Sequence, residues 1–356
     1  MVPPQRASLR VVPETLPILS RGAGQRPGGA LERELAAVEK YAVQTANTQL
    51  SEPLRTMVVE HLKTGGKQVR ARIALEATRA LGHEPMNMVP IAAACELLHN
   101  ATLVHDDLQD GDTVRRGEPA VWVRHGEAQA INVGDAMLML PTLALEQTVL
   151  MPSVRWYIAT AFVRRATETA CGQSLELELL KRRWLGRSSY LRAALGKSGP
   201  FFSLPIEAAA LTAGREPTRA RAIGDAILNL GALFQIRDDI LDLFGDKGRG
   251  QKGNDLREGK VSALIVTHLE RTPEDREALT ELLERDRENT TEDDVAQWSE
   301  RFKASRALDD ACRWARYLVD NLKDSAELAV EPGLRALVTE TAQAIASPLE
   351  GLRSRA

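Results

Sequence analysis

Apolar residues recur with the three- and four-residue spacing of α-helices from Ala30 to the C-terminal region, and no useful length of chain alternates with the period of two typical of strands. The two most apolar segments, Met86–Asp110 and Ala128–Gln147, have little polar face, which predicts helices inside a bundle. Pro141 predicts a kink in the second. The other predicted helices begin near 31 and cover 53–63, 69–81, 154–182, 188–197, 201–213, 219–246 and 263–270, and polar helices then run from Thr272 to about Ser347 with a break near 289–293. The pattern predicts an all-α fold.

The first 28 residues differ from the rest, because they carry five prolines and several glycines without a helical pattern. We interpret residues 1–28 as a flexible tail and residues 29–356 as one all-α domain. The tail has arginines but no continuous apolar stretch, so a secretory signal peptide is not expected.

Composition and charge narrow the function. Apolar residues make up 44% of the chain and aromatic residues only 4%, and the formal net charge is −3. This charge predicts no nucleic-acid binding, and the lack of an apolar run of 18 or more residues predicts no stable membrane insertion. Cys95, Cys171 and Cys312 are too few and too far apart for a disulfide framework or a zinc site, which favours the reduced cytoplasm.

One carboxylate pattern occurs twice, as Asp106-Asp107-Leu108-Gln109-Asp110 and as Asp238-Asp239-Ile240-Leu241-Asp242. Both copies lie in apolar segments, where buried carboxylates are costly unless cations compensate them. On a helix the first and last aspartates of each pattern share a face. Mg²⁺ prefers oxygen ligands and usually shares one or two carboxylates with substrate phosphates. The repeat therefore predicts a magnesium site between two helices.

Cationic residues stand where phosphate groups would need them. Gly65-Gly66-Lys67 with Arg70 precedes a predicted helix, whose N-terminus offers N–H groups to an anion. Arg115 and Arg116 follow the first aspartate pattern, and arginine suits phosphate recognition. Lys197-Ser198 and Lys260 are further isolated candidates. Alone, each string is as typical of a solvated loop, but together they indicate a site for phosphorylated ligands.

Together these residues resemble the trans-isoprenyl diphosphate synthase family, also called polyprenyl synthetases, from about Gly65 to Lys260. The matching strings, in chain order, are Gly65-Gly66-Lys67-Gln68-Val69-Arg70, Glu96-Leu97-Leu98-His99, Leu103-Val104-His105-Asp106-Asp107-Leu108-Gln109-Asp110, Arg115-Arg116-Gly117-Glu118-Pro119, Ala130-Ile131-Asn132-Val133-Gly134-Asp135, Phe234-Gln235-Ile236-Arg237-Asp238-Asp239-Ile240-Leu241-Asp242 and Gly253-Asn254-Asp255-Leu256-Arg257-Glu258-Gly259-Lys260. The resemblance implies an isoprenoid-synthase-type helical bundle around a deep central cavity, and a homodimer.

The resemblance also implies the reaction: isopentenyl diphosphate condenses with an allylic diphosphate (dimethylallyl, geranyl or farnesyl), and diphosphate is released. The implied metal ligands, for three Mg²⁺ ions that Mn²⁺ can replace, are Asp106, Asp107, Asp110, Asp238, Asp239 and Asp242, with Asp107 and Asp239 the more distant. The implied contacts of the allylic diphosphate are Arg115, Lys197, Ser198, Gln235 and Lys260. Those of isopentenyl diphosphate are Gly66, Lys67, Arg70, His99 and Arg116, although His99 also suits a core position. The residues implied in the chemical step are Asp106, Asp110, Lys197, Asp238 and Lys260.

The chain departs from the family pattern at three places. Arg249-Gly250 stands where the family often has Gly-Lys, so Arg249 or Lys252 would have to supply that cation. Lys197 is followed by Ser198 rather than the common threonine. The last string continues as Ser262-Ala263-Leu264 rather than Thr-Leu-Pro.

Product length should depend on the residues that precede the first aspartate pattern. Ala101 and Thr102 stand about 6–7.5 Å before Asp106 along the helix, and both are small. We therefore expect a product longer than fifteen carbons, with geranylgeranyl diphosphate (C20) as the best match. Trp122, Met137 or Met139 would be alternative stops. A C25 or longer product, a class I terpene cyclase on the same fold and a non-catalytic partner subunit remain as alternatives.

Overall fold

The computed structural model describes residues 29–245 and 252–352, so the predicted tail (1–28) and the Arg249-Gly250 departure lie outside the described residues. The α-helices are, in chain order, α1 (Ala30–Gln49), α2 (Leu54–Lys63), α3 (Val69–Ala80), α4 (Val89–Asp110), α5 (Val121–His125), α6 (Glu127–Ala144), α7 (Pro152–Lys181), α8 (Arg187–Thr212), α9 (Pro217–Ala226), α10 (Asn229–Phe244), α11 (Asn254–Arg257), α12 (Ala263–Arg271), α13 (Arg276–Leu283), α14 (Glu292–Ala304), α15 (Ala307–Lys323), α16 (Ala326–Ala329) and α17 (Pro332–Ala346). Short 3₁₀ turns flank several of them, at Pro85–Met88, Leu145–Gln147, Pro273–Asp275, Arg287–Asn289 and Ser347–Leu349.

The all-α prediction is confirmed, and most predicted helices lie within a few residues of observed ones. The two most apolar segments became α4 and α6, which pack against each other with their inner faces in the hydrophobic core. The break predicted near 289–293 is observed between Asn289 and Glu292.

The prediction of two helices over 188–197 and 201–213 was wrong, because α8 continues through Pro200 and Pro205. A proline inside a helix removes a hydrogen bond and usually bends or breaks the helix. Every residue from Gly199 to Leu211 is buried, so packing against the neighbouring helices holds this segment in place. The sequence pattern alone does not show that tertiary packing offsets the cost of the two prolines.

The single helix predicted over 219–246 was wrong as well, because α9 ends at Ala226 and α10 begins at Asn229. Backbone bonds from Ile227 N–H to Gly224 and from Leu228 N–H to Asp225 span three residues, which interrupts the α-helical ladder. Ala226 and Leu228 are good helix formers and Ile227 is not a helix breaker, so no local signal marked this break.

A short hairpin that the sequence did not predict joins α4 to α5. Val114–Arg115 pairs antiparallel with Glu118–Pro119, in the register Val114 to Pro119 and Arg115 to Glu118. The two turn residues have positive φ, 56° at Arg116 and 81° at Gly117. Two-residue hairpin turns require such backbone angles to match the twist of their strands. The turn fixes the direction in which Arg115 and Arg116 leave the backbone.

Two glycine contacts bring α7, α8 and α10 unusually close together. A Cβ on Gly172 would stand 2.1 Å from the backbone N of Lys197, and a Cβ on Gly231 would stand 2.1 Å from the backbone N of Gly199. Only glycine permits these approaches. As a result Lys197 and Ser198 of α8 lie between functional groups of α7 and α10.

A buried ion-pair network ties α7, α8 and α9 together. The guanidinium of Arg165 is fully buried, donates to Glu207 at 2.8 and 3.0 Å, and donates to Asp225 at 2.7 Å. Arg164 donates to the other oxygen of Glu207 at 2.7 Å. A buried ion pair is costly to break from one side only, because the remaining charge is left unpaired.

Within the described residues, one stretch is long and apolar enough to cross a membrane by length and composition alone, Glu127–Gln147, which contains α6. The sequence prediction considered only uninterrupted apolar runs and did not anticipate it. Of its most apolar window, 44% is buried inside the protein, and α6 packs against α4 as a core helix does.

Candidate active site

The two aspartate patterns lie at the C-terminal ends of α4 and α10. On α4 the half-buried positions His99, Thr102, Leu103, Asp106 and Asp110 follow the three- and four-residue spacing of one helix face. We call these five residues the open stripe of α4. Asp106 and Asp110 lie on this stripe, as the spacing predicted, whereas Ala101 is buried beside it.

Asp107 points away from the open stripe and is only 1% exposed. Its Oδ1 accepts a hydrogen bond from Nε of Arg115 at 2.6 Å and a second from Nη2 of Arg115. Burial raises the pKa of Asp107, and the bond to Arg115 opposes that shift. Asp107 therefore fixes the guanidinium of Arg115 behind the first aspartate pattern.

Asp239 is held by three neutral donors. Its Oδ2 accepts from the hydroxyl of Tyr190 at 2.6 Å and from the backbone N–H of Ala263 at 2.7 Å, and its Oδ1 accepts from Nε2 of Gln235 at 3.0 Å. The hydroxyl of Ser198 donates to Oε1 of Gln235 at 3.3 Å. This arrangement makes Asp239 the anchor between α8, α10 and α12.

The other two aspartates of the second pattern have different surroundings. Asp242 is buried and accepts from the backbone N–H of Asp255 at 3.1 Å, which attaches the short helix α11 to α10. Asp238 is 37% exposed and accepts from Arg237 at 2.9 Å. Asp238 is thus the most open carboxylate of the second pattern.

A cluster of opposite charges surrounds Asp106 and Asp110. Lys260 donates to Oδ2 of Asp110 at 2.9 Å and also pairs with Glu258 at 2.8 Å, and Lys197 pairs with Glu176. Burial lowers the pKa of Lys260, but the two carboxylates outweigh it and raise the pKa overall. Both lysines stay charged and are held beside the aspartates.

Asp106 shows most clearly the cost of burying a carboxylate here. Burial, opposed by Lys197 and reinforced by Asp110 and Glu176, raises its pKa to about 6. The neighbouring cations thus compensate this buried carboxylate only in part, and a divalent cation would compensate it further. The donor set is all oxygen, as hard divalent ions prefer.

Among the described residues, no group of three or more His, Cys, Asp or Glu side chains is arranged to hold a metal ion by itself. Mg²⁺ often uses only one or two carboxylates, together with water and substrate phosphates. The aspartates therefore fit a site for a hard divalent cation whose remaining ligands come from water and a phosphorylated ligand.

A second group of cationic side chains lies at the other end of the open stripe, around His99. The guanidinium of Arg116 covers Gly66 so closely that a Cβ there would stand 2.9 Å from Cζ. The guanidinium of Arg70 lies 5.5 Å from the ring centroid of Phe201, and the His99 ring lies 5.1 Å from the same centroid. Lys67 is exposed at the start of this group.

Both Arg70 and His99 have buried nitrogens that lack a partner among the described residues, Nε of Arg70 and Nδ1 of His99. Burial, then Arg70 and Arg116, hold the pKa of His99 well below its ordinary value, so the ring is neutral. Unpaired buried polar groups are unfavourable unless a ligand satisfies them, and Nε of Arg70 is an N–H donor. This group therefore fits an anion such as a diphosphate.

Several residues that sequence reasoning missed belong to this site. Glu176 pairs with Lys197, Nε2 of Gln173 donates to Gln109 at 2.9 Å, and Tyr190 holds Asp239. The spacing Gly172-Gln173-x-x-Glu176 places an amide and a carboxylate one helical turn apart, which was a usable signal. Tyr190 offered none, because its partner is 49 residues away in the chain. Of the candidate replacement cations, Lys252 is exposed and Arg249 lies outside the described residues.

Comparison with known proteins places this geometry in context. The sequence pattern of the polyprenyl synthetase family matches residues 51–301. The short chain isoprenyl diphosphate synthase of Methanothermobacter thermautotrophicus is 35% identical over 228 residues, which cover 63% of this chain and 70% of that protein. The geranylgeranyl diphosphate synthase of Methanosarcina mazei is 31% identical over 238 residues, which cover 66% of this chain and 72% of that protein.

A solved structure shares the fold over nearly the whole chain. The polyprenyl synthase of Caulobacter crescentus, in complex with calcium and isoprenyl diphosphate, is 28% identical, has a TM-score of 0.77, and covers 94% of this chain and 98% of its own.

Proposed function

Because the chain belongs to the polyprenyl synthetase family, we propose that the trans-prenyltransferase activity of this family is directed here to geranylgeranyl diphosphate. The substrates are isopentenyl diphosphate and a shorter allylic diphosphate, and diphosphate is the second product. The observation that carries the proposal is the pair of sites along the open stripe of α4. The aspartates with Lys197 and Lys260 stand at one end, and Arg70 and Arg116 stand at the other.

The two sites divide the work. The family depends on divalent metal ions. We propose that the ions here are three Mg²⁺, that Mn²⁺ can replace them, and that Asp106, Asp110 and Asp238 hold them. When bound, they supply positive charge that stabilises a departing diphosphate. Asp107, Asp239 and Asp242 are buried, and we propose that they act from behind the ions, where their hydrogen bonds keep the neighbouring groups in position.

The protein's own residues then act on the two substrates. Lys197 and Lys260, held charged beside the aspartates, attract the diphosphate that leaves the allylic substrate. Arg70, Arg116, Lys67 and the neutral His99 bind the diphosphate of isopentenyl diphosphate, whose double bond attacks the allylic carbon. The proton lost from the adduct passes to the released diphosphate. The ring of Phe201 packs against Arg70 and His99 and helps to exclude water from the isopentenyl diphosphate end of the site.

Product length rests on the position of Thr102. Thr102 precedes Asp106 by four residues and shares its helix face. Ala101 precedes Asp106 by five residues, points about 140° away from it around the helix axis, and is fully buried. A small residue at 102 leaves room for a chain that grows along the open stripe. Met139 is 65% exposed on the outer face of α6 and does not suit an internal stop.

We also propose that the protein acts as a homodimer in the cytoplasm. The outer face of α7 exposes Trp156, Val163 and Leu177, and the outer face of α6 exposes Ile131 and Met139. Exposed large apolar side chains grouped on a helix face suit a protein interface. We assign this face to a second copy of the chain. Light scattering tests the assignment: the wild type should have the mass of a dimer, and Val163→Arg should reduce it to that of a monomer.

A product assay tests the proposed activity. Purified protein is incubated with Mg²⁺, labelled isopentenyl diphosphate and dimethylallyl, geranyl or farnesyl diphosphate, and the products are sized by chromatography. A dominant C20 product is expected from all three primers. A C15 product from the shorter primers, or a series of C25 and longer, would overturn the assigned length. Hydrocarbon released from the allylic substrate alone would indicate a cyclase instead.

A further inference from the structure

Asn100 follows His99 on α4 but is buried, at 5% exposure, on the side away from the open stripe. Its Nδ2 donates to the backbone O of Glu96 at 2.8 Å, and its Oδ1 accepts from Nη1 of Arg116 at 3.1 Å. The amide is therefore fixed by its own helix and presents one oxygen to the guanidinium. The side chain of Asn100 therefore contacts Arg116 and does not face the open stripe.

The position of Arg116 explains why its guanidinium needs a hydrogen-bond acceptor that holds it in place. Its backbone has φ of 56°, uncommon for a residue other than glycine, at the tip of the β1–β2 hairpin. From there the side chain crosses to Gly66, and Cζ would lie 2.9 Å from a Cβ at that position. A long side chain has many rotamers in solution, and holding it in the bound geometry reduces the entropy lost on binding.

Two neighbours add to this support. Oγ1 of Thr64 lies 3.4 Å from the same Nη1 of Arg116, a weaker contact than that of Asn100. His61 of α2 is buried close to Asn100 and Arg116. Burial and the nearby arginines keep the ring neutral, so it adds no positive charge beside Arg116.

We propose that Asn100 is a positioning residue for isopentenyl diphosphate: it holds the guanidinium of Arg116 over Gly66 and thereby sets the affinity for this substrate alone. The proposal rests on the proposed function, since it assigns isopentenyl diphosphate to the site around Arg116. The side chain of Asn100 bonds to Glu96 and Arg116, whereas the aspartate cluster around Lys260 lies at the other end of the open stripe. Its loss should therefore separate the two substrates.

A double-mutant cycle tests this role. Asn100→Leu keeps the size of the side chain and removes the acceptor for Arg116. It should raise the KM for isopentenyl diphosphate about tenfold and change the KM for the allylic primer and kcat less than about threefold. In the background of Arg116→Gln the same change should add less than about twofold, because residues that act as a unit are not additive.

Controls keep the test decisive. Asn321→Leu, at an exposed position on α15, controls for the exchange itself and should leave both KM values unchanged. If Asn100→Leu does not fold, Asn100→Ser, too short to reach Arg116, takes its place with the same expectation. Equal effects on both substrates, or an undiminished effect in the Arg116→Gln background, would overturn the positioning role.

Calorimetric binding of isopentenyl diphosphate separates the two proposals. If the wild-type protein forms no elongated product, the proposed function fails. A tenfold loss of isopentenyl diphosphate binding in Asn100→Leu would then still support the role of Asn100, and unchanged binding would overturn it.

Discussion

The imidazole of His105 lies directly on the bare Cα of Gly134, where a Cβ would stand only 2.1 Å from Nε2 of the ring. His105 precedes Asp106 on α4, and Gly134 lies on α6. The ring is also 3.5 Å from the backbone O of Ile131 and 3.6 Å from Oδ1 of Asp135. The contact sets how closely α6 approaches the start of the first aspartate pattern.

Gly134→Ala should therefore displace His105 and, through the backbone, Asp106. We expect a loss of about 1–3 kcal/mol in the free energy of unfolding, typical of an overpacked core, and at least a tenfold lower kcat. Urea unfolding and steady-state kinetics measure both. Gly29→Ala, with open space around its Cα, is the matched control. His105→Ala in the Gly134→Ala background should restore stability, and wild-type stability of Gly134→Ala alone would contradict the idea.

Thr102→Phe should shorten the product, because an aromatic ring on the open stripe would block the path of the growing chain. Ala101→Phe should shorten it too, with a further loss of stability of about 1–3 kcal/mol, since Ala101 is fully buried. Thr102→Val, of nearly the same size, should leave the product length unchanged. Chromatographic sizing of labelled products decides, and an unchanged product from Thr102→Phe would refute the assignment.

Lys260→Met should reduce kcat about 100-fold or more, because it removes a cation that stabilises developing negative charge on the leaving diphosphate. It also leaves Asp110 without the bond that now measures 2.9 Å. The lysine-to-methionine exchange is controlled by Lys181→Met, whose side chain is largely exposed at the end of α7. Initial rates with saturating substrates measure the effect. A Lys260→Met protein with more than a third of wild-type activity would exclude the role.

Stability should fall with acid because of His61. Burial, followed by Arg116 and Arg115, lowers the pKa of His61 to about 4 in the folded protein, whereas the unfolded chain binds the proton with an ordinary pKa of about 6.5. Between these values the unfolded state binds more protons, so the free energy of unfolding decreases as the pH falls from about 6.5 towards 4.

The expected loss from His61 between pH 7.5 and pH 5 is about 2 kcal/mol. Urea unfolding of the wild type and of His61→Gln across this range measures it as the difference between the two pH profiles. His83→Gln, at an exposed position, should leave the profile unchanged. Parallel profiles for His61→Gln and the wild type would show that this histidine titrates normally.

Sequence spacing was sufficient for most helices, because helices depend on local periodicity. Asp106 and Asp110 share the open stripe since they are four residues apart. The same reasoning failed at Pro200, where burial keeps α8 intact, and at Ile227, where no breaker marks the gap between α9 and α10.

The sequence by itself determined an all-α protein with two aspartate patterns and separate cationic strings, and their order along the chain pointed to the family. Only the tertiary structure decided what each charged group contacts. Asp107 faces Arg115, Asp239 faces Tyr190, and Arg116 reaches Asn100, across separations of 8, 49 and 16 residues. The reason is physical: burial and long-range packing set which carboxylates receive protein donors, and neither is encoded in local spacing.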